Sequence, residues 1–422
     1  MINSLKIKYF IIFSLLMIQS FVSGSVLSTY LVYLIILTLL ASSIVSFNDY
    51  LKGKSKFKLS NADLLLGLFI IALLRSYFNE TLNFTDVLLY LIVLILFSII
   101  IRFDVQKNSF WKPFIGSFVL ILIVNILLFI IGIDDSFWSK IGVSQQLSRS
   151  PQKLRLLSYF NVDLDRTGFL IFNSFAYYSM LLGLLIISIF HKFIKLNRYI
   201  SLLLLFLAFF SILLLDARGP VLFVVIVLIF SKVISKINKN NFFIVFIMIS
   251  VIPILYSGLM LYLGFSGSDS SKIVSSRDLI WTSFFIYYNP NFYELLFGYG
   301  FLGQYVSDIS SQYEHLFMDR GGSSLIISLH NNYLQYLIDV GLVGIFILYK
   351  IVQKTFMKID KLDLQIFKPI ILYLLLLGTL EMGIIINNFI VFYFFIALVY
   401  YVDYKHYKLN SLQDSSRKSD LI

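Results

Sequence analysis

The chain contains no cysteine, which removes disulfides, thiolate nucleophiles and cysteine-ligated metals together. Charge is scarce as well, at 14% of 422 residues, and no soluble domain needs so apolar a composition. Histidine is sparse, and His191, His315 and His330 show no metal-ligand spacing, so neither a metal nor a cofactor site is expected. No heptad array, internal repeat or soluble domain stands out. What the chain does have is apolar sequence: 59% of its residues are hydrophobic and the mean hydropathy is +0.87. Runs of about 20 apolar residues recur along it, the length that crosses a hydrocarbon core.

The expected fold is therefore all-α, a polytopic integral membrane protein with about twelve transmembrane helices. The spans fall near 7–23, 27–47, 63–79, 85–101, 113–133, 168–190, 199–215, 220–234, 242–263, 329–350, 369–386 and 389–402. Asp63 and Arg75 leave the third the shortest apolar centre. Lys6 and Lys8 at the start of the first apolar run resemble a signal peptide, but no small-residue cleavage site follows, so a retained first helix is expected.

Lys and Arg cluster in alternate connections: Lys52–Lys58, Arg102–Lys112, Lys192–Arg198, Lys232–Lys239, Lys350–Lys368 and Lys405–Lys418. By the positive-inside rule these face the cytoplasm, as do both termini. The net charge of +11 is thus a topology signal, and no nucleic-acid partner is expected. Residues 1–422 read as one membrane domain with a cytoplasmic tail over 403–422, of which Ser411–Ile422 is polar and expected to be disordered. Two outer segments are long, Asp134–Asp165 and Gly264–Ser328. The larger, residues 264–328, directly precedes the tenth span, and long loops between rigid helices are where sites usually lie.

His330 opens that tenth span. At about 100° per residue His330, Leu337, Gly341 and Gly344 share one helical face, and the glycines would admit a neighbouring backbone. A helix-packing pair with an incidental histidine is the alternative. Asp216-Ala217-Arg218-Gly219-Pro220 lies on the same outer side, with Pro220 suited to a helix's first turn. Arg218 and His330 would both stand at positive helix N-termini, a seat for phosphate; an Arg218–Asp216 ion pair is the competing account. In the large loop, Ser275 or Ser276 can cap a short helix that carries Arg277 and Trp281 and ends before Asn289-Pro290. Arg320, beside Gly321-Gly322, is a weaker candidate, and Glu381 inside the eleventh span is read as a packing hydrogen-bonder. Gly298-Tyr299-Gly300-Phe301-Leu302-Gly303 fits G-x-G-x-x-G, but it follows no strand of a βαβ unit. Its glycines are expected to turn the loop.

His330-Asn331, nine residues, Gly341, two residues and Gly344 resemble the histidine motif of the O-antigen ligase and O-antigen polymerase superfamily. Asp216–Pro220 is similar to that family's outer arginine turn, and Arg277 with Trp281 to its loop arginine. The resemblance implies transfer of a glycan from undecaprenyl diphosphate on the outer face of the bacterial cytoplasmic (inner) membrane, without metal or cofactor. His330 would be the catalytic base, Arg218 and Arg277 would bind the diphosphate, and Arg320 and Asn331 would be accessory. The implied partners are the lipid-linked donor, a glycan or lipid-core acceptor, membrane lipids and a chain-length regulator. The leading expectation is a polymerase of O-antigen or capsular repeats; the alternative is a ligase that passes the glycan to lipid A–core. A flippase or transporter is more remote, because it calls for charged, interrupted helices near the midplane.

Overall fold

The computed structural model describes residues 2–21, 26–51, 60–104, 111–131, 175–192, 196–214, 218–262, 277–318, 329–362, 367–380 and 389–419. Every regular element among them is a helix. That follows from the composition, since a backbone in hydrocarbon must satisfy its own hydrogen bonds. In chain order the helices are α1 Ile2–Phe21, α2 Val26–Leu51, α3 Asn61–Phe78, α4 Phe84–Asp104, α5 Trp111–Ile131, α6 Phe175–Phe190, α7 Arg198–Leu214 and α8 Arg218–Ile229. There follow α9 Ser231–Ser235, α10 Lys239–Tyr262, α11 Arg277–Tyr287, α12 Phe292–Phe297, α13 Gly303–Val306, α14 Ile309–Met318, α15 Asn332–Lys361, α16 Phe367–Leu377 and α17 Phe389–Ser419.

A helix stands over each of the twelve apolar stretches. Three have the length and composition to cross a membrane by themselves: Asn61–Phe78, Phe84–Arg102 and Asn332–Asp360. Among the described residues eight of the others are shorter apolar helices. Their outward faces are oily: Leu202, Leu203 and Phe206 on α7 and Ile244, Met248 and Leu255 on α10 are all exposed. Lipid, not water, is the solvent such faces suit.

Two helices form the centre. The run Val391–Val402 of α17 is buried throughout and contacts α1, α3, α4 and α15. The run Phe367–Leu375 of α16 is equally buried and contacts α6, α8, α9, α10 and α15. α15 therefore bridges the two halves of the bundle. At one end the helices are tied by charge. Arg102 meets Asp63 at 3.0 Å, and Asp403 accepts bonds from Ser60, from Asn61 and from Lys358. Lys368, fully buried, pairs with Asp360 at 2.6 Å and donates to the carbonyls of Ser235 and Ile237.

Two expectations need correction. Asp63 and Arg75 do not shorten the third span, because they stand at its two ends: Asp63 completes a capping box with Ser60, and Arg75 lies in the last turn. The tail is not irregular either, since α17 continues through Ser419. Lys, Leu, Gln and Arg in that stretch are good helix formers extending a helix already nucleated by packing.

Candidate functional site

α15 begins later than the sequence suggests. Asn331 is its N-cap, with extended backbone (φ −154°), and its side-chain oxygen accepts from the amides of Tyr333 and Leu334 at 2.9 and 3.0 Å. The other end of the same amide donates to the Thr379 carbonyl at 2.7 Å, so the fully buried Asn331 satisfies both sides of its side chain. His330 thus lies before the helix, half-buried, with φ +48° in the left-handed region. A histidine there carries strain on the order of 1–3 kcal/mol, which the surroundings must hold in place. They do so through Leu329. Its amide donates to Gln335 at 3.3 Å and its carbonyl accepts from the Trp281 indole at 3.0 Å.

The Trp281 bond joins two candidate elements. Arg277, half-buried, is the first residue of α11, and Trp281 follows one helical turn later at 1% exposure. Trp281 shares a buried cluster with Ile280, Phe284, Leu329, Leu334 and Ile338. The arginine turn reaches the same corner from the other side. Arg218 opens α8, and a Cβ on Gly219 would come within 2.7 Å of Leu380 Cδ1. Leu380 packs against the Trp281 cluster and follows Thr379, the partner of Asn331. Gly219 of α8, Trp281 of α11 and the turn before the α15 cap therefore meet around Leu329, Asn331 and Thr379-Leu380. Arg320, Asp216, Ser275, Ser276 and Glu381 fall outside the described residues.

Gly341 and Gly344 differ from expectation. Gly341 breaks α15, at φ +69° and ψ −170°, so the helical face read through it is not continuous. A break in a helix frees the carbonyls four residues back, and the glycine loop fills them: Tyr299 N–H donates to Ile338 O at 2.7 Å and Gly300 N–H to Asp339 O at 2.9 Å. The approach is so close that a Cβ on Gly341 would stand 2.3 Å from the Leu296 carbonyl oxygen, and one on Gly298 2.4 Å from the Asp339 carbonyl carbon. Gly341 thus admits α12 rather than another spanning helix. A Cβ on Gly344 would meet Val340 of its own helix.

A polar stripe missed by the sequence reading runs beneath the site. Asn331, Gln335 and Asp339 are spaced by four and all buried. Gln335 donates to Gln304 at 2.7 Å and to Asp339 at 2.9 Å, and Asp339 also accepts from Gly303 N–H at 3.0 Å. The four-residue spacing of polar residues in an apolar helix was the signal that could have revealed it.

Two phenols border this region. Burial, then the charge of Glu294, pushes the Tyr288 hydroxyl up to about 12. Burial and its hydrogen bond to Glu294 raise Tyr299 further. Both stay protonated at neutral pH and are unsuited to act as bases there.

Fold and site together describe a helical membrane protein in which Trp281 and Gln335 hold a strained histidine turn through Leu329. A family model described as O-antigen ligase matches residues 203–349, from within α7 to the middle of α15. Arg218, Arg277 and His330 all lie in the matched segment, and over it the resemblance to the O-antigen ligase superfamily is borne out. No curated protein matches the chain.

Proposed function

We propose that this protein transfers a glycan from undecaprenyl diphosphate to a sugar hydroxyl on the outer face of the cytoplasmic membrane, with twelve spans and both termini inside. What supports this reading is that Gly219, next to Arg218, lies against Leu380, that Leu380 borders the Trp281 cluster, and that Trp281, one turn after Arg277, donates to Leu329, next to His330. In the reaction the acceptor hydroxyl attacks the anomeric carbon and gives its proton to the His330 imidazole, the general base. A new glycosidic bond forms as the bond to the diphosphate oxygen breaks, with inversion at the carbon. The leaving diphosphate takes the electron pair, and Arg218 and Arg277, as planar bidentate donors, offset its charge. Arg320 is proposed as a further contact to the donor.

The leading acceptor is a second lipid-linked repeat unit, which makes the protein a polysaccharide polymerase working alongside a chain-length regulator. The description of the matching family favours a second reading, a ligase whose acceptor is lipid A–core. Purified protein in nanodiscs, given lipid-linked repeat units with or without lipid A–core, separates the two. Longer lipid-linked glycan without core supports the polymerase, and product only when core is present supports the ligase. No transfer to either acceptor, from protein shown to be folded, counts against both.

A further inference from the structure

The loop that carries Arg277 presents an oily face of its own. α12 buries none of its residues fully, and Phe292, Tyr293 and Phe297 are all exposed, Phe292 at 76%. At 100° per residue these three fall within roughly 140° of one side of the helix. The opposite side carries Glu294 and Leu295, which are less exposed, and Glu294 accepts from the Tyr299 hydroxyl at 3.0 Å. Aromatic side chains at the ends of two apolar helices continue the patch. Phe78 on α3 is 78% exposed, Phe84 on α4 is 62% exposed, and Tyr77 lies 5.6 and 6.0 Å from their rings. Arg75 joins the two groups: its guanidinium sits 4.9 Å from the centre of the Tyr293 ring and donates to the Phe297 carbonyl at 3.2 Å.

A patch of six exposed aromatic rings is costly in water. Aromatic belts beside a cation belong at the boundary between hydrocarbon and headgroups, where rings bury their faces and a guanidinium meets phosphate. Among the described residues one Arg75 N–H donates to Phe297, and a guanidinium carries five such donors for a lipid phosphate to meet. We propose that α12, with the ends of α3 and α4, is an anchor in the bilayer interface, and that its partner is the phospholipid headgroup layer. The large loop is then held at headgroup depth rather than free in water. The anchor does not depend on which reaction the site performs.

Because the chain has no cysteine, single-cysteine variants can carry a nitroxide label without further changes. Phe292→Cys and Phe297→Cys are reconstituted in vesicles of phosphatidylethanolamine and phosphatidylglycerol. Collision of the label with oxygen is compared with collision with a water-soluble nickel chelate. Phe206→Cys, on the exposed apolar face of α7, serves as the lipid reference, and Ser311→Cys, exposed on α14, as the water reference. The anchor predicts that both test sites favour oxygen over the chelate as Phe206→Cys does, with Ser311→Cys reversed. Test sites that favour the chelate as Ser311→Cys does would place the loop in water and overturn the proposal. Labels shielded from both probes would mean that protein covers the patch, which overturns it equally.

Discussion

The two ends of the bundle are held together by different means. Where α3 begins, charged side chains reach between helices: Asp63 to Arg102, Asp403 to Lys358, and Lys368 to Asp360. Where α3 ends, the contacts are mostly backbone. Gly298, Gly300 and Gly303 let the loop lie directly against α15 and α3, and amides of the loop donate to Ile338, Asp339 and Ala72. Ion pairs between long side chains tolerate small displacements, whereas interlocked backbones do not. The rigid end is the one that carries His330, and a strained turn is where rigidity is required.

The largest effect expected from breaking this contrast is at the interlocked glycines. Gly341→Leu meets both a positive φ and a backbone oxygen 2.3 Å from the new Cβ, so the folded protein should be lost, read as yield and thermal transition in detergent. Gly298→Val should behave alike. A folded Gly341→Leu would show that the loop does not lock against α15 as described. At the charged end, Asp403→Ala should lower stability by about 1–3 kcal/mol while transfer at a permissive temperature stays near normal. A large fall in turnover with unchanged stability would erase the distinction between the ends. A smaller effect is expected at the link itself: Trp281→Phe keeps the ring but removes the donor to Leu329, costing about 1 kcal/mol of stability. Its turnover should fall more than its affinity for donor, because the bond positions His330 rather than the lipid. Arg218→Lys, which keeps the charge and loses the planar fork, should restore little of the transfer lost in Arg218→Ala.

Much of the fold was legible in the residues. Apolar runs marked the helices that stand over the twelve stretches, because a membrane leaves the backbone little choice. The start and end of the Arg277 helix were also close, since Asn289-Pro290 stops it after Tyr287. His330 was singled out, but its local geometry was missed: Asn331 caps a helix that begins at Asn332, so the regular face assumed for His330 began two residues too early. The glycine loop was recognised as a turn, and Gly298 and Gly300 do adopt positive φ. Its fit against a helix broken at Gly341 depends on residues some forty positions apart, which no local pattern encodes.

The central claim is that this rigid end exists to hold His330 as a base. It is tested most directly by His330→Ala, purified beside the parent protein, with turnover of lipid-linked substrate and thermal stability measured on the same preparations. A positioned base contributes ~10²–10⁴-fold, so turnover should fall by that order while the thermal transition stays close to the parent's, since alanine keeps a Cβ in the same left-handed backbone. Near-normal turnover in a folded His330→Ala protein would contradict the account.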